Sequence, residues 1–203
     1  MRQIDEAARR IAGERYGLAE CLHVPIAAAS EEAVAAYVGE IVGRPCGPRS
    51  GKALLVRTYD PPPLDLAFPI WALEGSEVFH RRLQLWVHVD YSGYRRAYRR
   101  AFPDEDIAGS VISHTMNRRI APLRGFEFVR VTVTSRGANS SSAFSEGWGF
   151  DLHNDPVQRE ANRRRGVSIA YADLTELMLM LDMKLGGGVM DAVNEGGKLV
   201  KRA

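Results

Sequence analysis

The run Phe126-Glu127-Phe128-Val129-Arg130-Val131-Thr132-Val133-Thr134 constrains this chain more than any other stretch of its 203 residues. Its β-branched and aromatic side chains suit a pleated surface better than a helix, and the run predicts a long strand over 126–134. Phe126, Phe128, Arg130, Thr132 and Thr134 face one way, and Glu127, Val129, Val131 and Val133 the other, so the polar-apolar alternation is imperfect. Leu83-Gln84-Leu85-Trp86-Val87-His88-Val89 predicts a second strand over 83–89, and Ala53 to Tyr59 a third over 53–59. A short strand follows over 167–172.

Helical spacing recurs between these strands. Ile4, Ala7, Ala8 and Ile11 predict a helix over 3–16. Ser30 is an N-cap with Glu31 and Glu32 in the first turn, for a helix expected to end near Gly43, before Arg44-Pro45. Helices are also expected over 91–101 and 106–121, and between Asp155, with Pro156 at the first helical position, and Gly166. Another spans 174–185, introduced by Asp173 and Glu176 and ended by Gly186-Gly187-Gly188. Pro61-Pro62-Pro63 is an extended connector, and divides a helical N-terminal portion (1–60) from a main domain (64–203). The alternation predicts an α+β fold, a mixed sheet flanked by helices. Residues 135–154 read as a polar, Gly/Ser-rich loop, longer than a connection requires.

Composition narrows the class to an ordinary globular chain: 45% hydrophobic, 26% charged, long enough for a sizeable core. Cys21 and Cys46 lack C-x-x-C spacing, which argues against an all-cysteine metal site and fits a reducing compartment. The opening residues lack the apolar core of a signal peptide, and no apolar run approaches the roughly 20 residues of a membrane span. A cytoplasmic protein is expected; export by a dedicated secretion machine would leave no such trace.

The net charge of +2 hides an uneven distribution. Residues 1–80 carry 8 basic and 11 acidic groups, 81–130 carry 10 and 5, and 131–203 carry 9 and 9. Arg supplies 23 of the 27 basic residues. GC-rich coding favours Arg overall, but does not explain its clustering between Arg81 and Arg130. That cluster is where a polyanion would bind.

Three stretches carry candidate chemistry. On a helix, Tyr91, Tyr94 and Tyr98 form one stripe, flanked by Arg95, Arg96, Arg99 and Arg100. These arginines either hold a nucleic-acid backbone or form a solvated face paired with Asp104, Glu105 and Asp106. In the expected 106–121 helix, His114 shares a face with Asn117 and Arg118, beside Arg119: a base, an amide and phosphate ligands, or a structural histidine. Between 135 and 154, Asp151 and His153 are either divalent-metal ligands or part of a turn and capping cluster with Asn139 and Asn154. The stretch Gly47 to Ala53 is not a phosphate loop: three residues separate its glycines, Ala53 follows Lys52, and a helix is expected before it.

The residues His114, Asn117-Arg118-Arg119, the strand containing Gly125-Phe126 and Val129-Arg130, and Asn139-Ser140-Ser141 together resemble a His-Asn-His (ββα-metal) nuclease module of the kind found in bacterial toxin and phage proteins. The resemblance implies a His near the end of a strand that deprotonates the attacking water, here His114, with Asn139 as its orienting amide. It implies that Asp151 and His153 hold a divalent ion (magnesium, manganese or zinc). Ser113 stands where the family often has a metal-binding Asp. The function expected is a metal-dependent phosphodiesterase acting on nucleic acid. His114, Asn117 and Asn139 would be catalytic, and Arg95, Arg96, Arg99, Arg100, Arg118 and Arg119 would hold the backbone. The alternatives are a non-catalytic nucleic-acid-binding protein, an enzyme on a small phosphorylated or acidic substrate, and a partner-binding protein such as a toxin neutraliser. In the last, the Met/Leu-rich 174–185 helix would form a homodimer contact.

Overall fold

The computed structural model describes residues 24–47, 51–59, 82–141, 150–172, 176, 179 and 180. In chain order the elements are β1 (Pro25–Ala28), α1 (Glu31–Tyr37), β2 (Gly39–Gly43), β3 (Ala53–Thr58), β4 (Leu83–His88) and α2 (Tyr94–Ala101). They continue with β5 (Ser110–His114), a 3-10 turn (Pro122–Arg124), β6 (Phe128–Ser135), α3 (Arg136–Ser141), α4 (Pro156–Arg165) and β7 (Ile169–Tyr171). The strands form one sheet in the order β2-β3-β4-β6-β1-β7, with β5 paired to β6, and every registered pairing is antiparallel. The fold is α+β, a sheet flanked by helices.

β6 is the centre of this sheet because it is long enough to serve three partners. Val131 pairs with Leu85 of β4 on one edge and with His114 of β5 on the other. β1 continues along the β5 side, with Ala27 opposite Val129 and Ala28 opposite Phe128. The imperfect alternation of β6 has a simple cause: both of its faces are covered. Val129 and Val131 pack with Leu85, Val87, Ile112, Ala97 and Tyr98 under α2. Phe128 packs with Trp86, Leu54, Val56 and Val34 under α1.

Several expected elements form as their local chemistry dictates. Ser30 Oγ accepts a hydrogen bond from Ala33 N at 3.2 Å and starts α1. Asp155 Oδ1 accepts from Val157 N at 2.9 Å and from Gln158 N at 3.0 Å, and α4 ends at Gly166 in the left-handed conformation.

Others differ. The helix after Ser30 stops at Tyr37, and residues 39–43 form a strand instead. A Cβ on Gly39 would lie 2.0 Å from the Arg57 carbonyl oxygen, so only glycine lets the chain swing from α1 against β3. Consequently a strand, not a helix, precedes the 47–53 stretch, whose spacing still excludes a phosphate loop. Where a helical N-terminal portion was expected, described residues 24–47 and 51–59 supply three strands to the sheet that β4 and β6 share. The expected helix over 106–121 is also replaced. Gly109 has φ +78°, and residues 110–114 pair in register with β6 from Ser110 opposite Ser135 to His114 opposite Val131. Finally, the 135–154 region is not simply a loop: Ser135 Oγ accepts from Ala138 N at 3.1 Å at the start of α3, and residues 150–154 are helical.

The 3–16 helix, the 61–63 connector, Cys21 and most of the 174–185 helix lie outside the described residues. Residues 176, 179 and 180 are helical, with Leu179 and Met180 buried. No helix among the described residues is long and apolar enough to cross a membrane.

Candidate functional site

β5 runs along the β6 edge opposite β4, and its last residue is His114. The chain then turns. Asn117 Oδ1 accepts from Arg119 N at 2.8 Å, and the Asn117 carbonyl accepts from Ile120 N and Ala121 N, both at 3.0 Å. This turn is followed by the 3-10 turn and β6, after which α3 packs back against β5. The end of β5, the turn after it and α3 enclose an open cleft of about 450 Å³, lined by Ser113, His114, Asn117, Arg118, Arg119, Asn139 and Ser140.

Five residues singled out in the sequence therefore meet: His114, Asn117, Asn139, Arg118 and Arg119. They meet by a different route from the helical face expected of 106–121, because His114 ends a strand and the others come from a turn and from α3. The described lining contains two guanidinium groups, amides, hydroxyls and one imidazole, and no carboxylate. Such a surface favours an anion, and fork-shaped guanidinium groups match phosphate oxygens.

His114 sits half-buried in this wall, with its ring centroid 4.3 Å from that of Tyr94 at an interplanar angle of 53°. Burial pushes its pKa down to about 4, and the charges of Arg118 and Arg95 push in the same direction. The ring is therefore neutral at pH 7. Its Nε2 is buried and finds no hydrogen-bond partner. An unsatisfied buried acceptor or donor costs about 1–3 kcal/mol, so its retention calls for an explanation.

Arg95, Arg96, Arg99 and Arg100 are all exposed on α2, the helix that carries Tyr94. Arg95 lies over the Tyr94 ring at 5.1 Å, and Arg100 donates to the Pro45 carbonyl at 3.3 Å. Two residues of the acidic cluster beyond the helix have partners elsewhere. Glu105 accepts the Tyr98 hydroxyl at 2.8 Å, and Asp106 Oδ1 accepts from Ala108 N at 2.9 Å.

Asp151 and His153 are not among the described residues lining the cleft. Asp151 is exposed, while Asn162 Nδ2 donates to the Leu123 carbonyl at 3.2 Å and lies 3.2 Å from His153 Nδ1. Among the described residues no three His, Cys, Asp or Glu side chains form a group able to hold a metal ion. Asp151 and His153, the expected ligands of a divalent ion, are thus not brought together with the described cleft residues. The 150–154 segment approaches the cleft mouth differently, with the Arg119 guanidinium 4.7 Å from the centroid of the Phe150 ring.

The sequence reading missed Ser113 and Ser140 as lining residues and Tyr94 as the neighbour of His114. Only the helical stripe through Tyr94 hinted at the last, because the contact joins the start of a helix to the end of a later strand. No family model, curated protein or solved structure matches the chain.

Proposed function

We propose that the cleft binds the phosphate backbone of a nucleic acid and cleaves a phosphodiester bond, with His114 as the general base. One observation carries the reading: an imidazole with an unpartnered nitrogen shares a cleft, whose described lining holds no carboxylate, with Arg118, Arg119, Asn117 and Asn139. The strand-strand-helix order of β5, β6 and α3, with the His at a strand end and Asn139 on the helix, supports the likeness to a His-Asn-His module. In this reading, Arg118 and Arg119 hold the phosphate oxygens and stabilise the charge that develops on them. The attacking hydroxyl oxygen bonds to phosphorus and gives its proton to His114, while the bond from phosphorus to the leaving oxygen breaks and that oxygen takes a proton from solvent. Asn139 and Ser140 position the backbone. The exposed arginines of α2 lengthen the basic track beyond the cleft.

The test is direct. Purified protein is incubated with plasmid DNA and with structured and single-stranded RNA, with magnesium, manganese or EDTA. Cleavage by the wild type that His114→Ala abolishes supports the reading. Equal cleavage, or none, by the two proteins overturns it.

A second reading, binding without cleavage, draws on the pKa of about 4 at His114. A general base works best with a pKa near the operating pH. This reading expects oligonucleotide retention that fails in the double variant Arg95→Glu/Arg99→Glu and is indifferent to His114→Ala.

A further inference from the structure

We infer that Tyr94 is a positioning residue for His114: its ring fixes the imidazole against the cleft wall and links it to the arginine face of α2. The inference rests on the phosphodiesterase reading for its catalytic meaning, but its geometry stands separately.

A working imidazole is ordinarily oriented by a hydrogen bond through its second nitrogen. Nε2 of His114 has no such partner, whereas the Tyr94 ring lies 4.3 Å away, tilted by 53° to the imidazole. Tyr94 is itself firmly placed. It is the first residue of α2, is partly buried against the core that contains Ala97 and Tyr98, and follows Gly93. A Cβ at Gly93 would lie 2.7 Å from the Tyr91 ring, so the residue before the helix packs closely against that ring.

The surroundings of His114 are named by the elements packed on it. α2 brings Tyr94 and, beyond it, the Arg95 cation at 5.1 Å from the Tyr94 ring. The turn after β5 brings Arg118, β6 places Val131 opposite in register, and α3 brings Asn139 and Ser140 to the same cleft. Tyr94 is the neighbour among these whose ring meets the imidazole. Loss of that contact would misplace the base, and a displacement near 1 Å can cost about 10²-fold in rate.

The experiment uses the full chain, with His114 ring protons assigned by comparison with His114→Ala. In the wild type, an NOE between the Tyr94 and His114 rings and an upfield-shifted His114 C2 proton are expected, and their absence overturns the inference. Tyr94→Phe is expected to keep the shift, the titration midpoint near 4 and cleavage. Tyr94→Leu is expected to lose the ring-current shift and to move the midpoint toward the ordinary histidine value of about 6.5. Its kcat is expected to fall about 10²-fold with little change in KM. A Tyr94→Leu protein with the wild-type shift and midpoint overturns the inference, as does a Tyr94→Phe protein that behaves like Tyr94→Leu. Absence of cleavage by the wild type removes the phosphodiesterase reading, while the two spectroscopic readouts still decide whether Tyr94 holds the ring.

Discussion

Oδ1 of Asn117 accepts a hydrogen bond from the backbone N of Arg119 at 2.8 Å. A side-chain amide that closes its own turn in this way fixes the next two residues in place. Those residues are Arg118 and Arg119, the guanidinium groups that line the cleft. Asn117 therefore shapes the loop that carries both arginines.

Replacing the acceptor tests this division of labour. Asn117→Ser retains a neutral oxygen for Arg119 N and is expected to hold oligonucleotide and stability closer to wild type than Asn117→Ala. Asn117→Ala removes it, and is expected to cost about 1 kcal/mol by thermal or urea unfolding and to weaken retention. Equal behaviour of the two variants would place the importance of Asn117 elsewhere.

The strands of the sheet were legible where local chemistry and burial agree. β6 and β4 consist of side chains that favour strands, and the caps at Ser30 and Asp155 act within three residues of themselves. β5 was not legible, because Ser110-Val111-Ile112-Ser113-His114 is short and its strand character comes from β6, which lies further along the chain. That one misreading also explains how the site was half seen. His114, Asn117, Arg118 and Arg119 were grouped by an assumed helical face, yet they meet through a strand end and an Asx turn. Asn139 joins them only because α3 folds back on β5, and a contact over that distance leaves no trace in spacing.

The arginines of α2 give a salt dependence. Each phosphate neutralised releases counterions, and the log of affinity falls with log salt at a slope of roughly −0.7 to −0.9 per contact. Arg95→Gln/Arg99→Gln is expected to make the slope for a generic oligonucleotide shallower by roughly 1.5. Filter binding between low and moderate salt measures it, and an unchanged slope would remove α2 from the binding face.

Asn162 ties α4 to the 3-10 turn at the base of the cleft loop. It is buried, donates to the Leu123 carbonyl at 3.2 Å and accepts from Gln158 Nε2 at 3.0 Å. Asn162→Ala removes the donor that serves this carbonyl, and a loss of about 1–3 kcal/mol is expected in chemical denaturation. Asp155→Ala, which removes only the α4 cap, is expected to cost about 1 kcal/mol. A smaller loss for Asn162→Ala than for Asp155→Ala would contradict the bridging role.

His114 makes stability depend on pH with a definite sign. Its folded pKa is about 4, and an unfolded histidine titrates near 6.5. Above pH 6.5 both states are neutral at this residue, and its contribution is constant. As pH falls from 6.5 toward 4, the unfolded chain takes up a proton that the folded chain refuses, so the unfolded state gains. Below about pH 4 the folded protein is protonated as well, and no further stability is lost through this residue. The loss across that window is at most about 3 kcal/mol, and solvent reaching the half-buried ring reduces it. Carboxylates titrate in the same range, so the measurement is a difference: urea unfolding of wild type and His114→Gln at pH 7 and at pH 4. The wild type is expected to lose more stability than the variant, and parallel losses would mean that the imidazole is solvated as freely in the fold as outside it. Adding inorganic phosphate at pH 5 extends the same argument. An anion at Arg118 offsets one of the charges that keep the ring neutral, so His114 in the folded protein should take up its proton at a higher pH and the gap between wild type and His114→Gln should narrow.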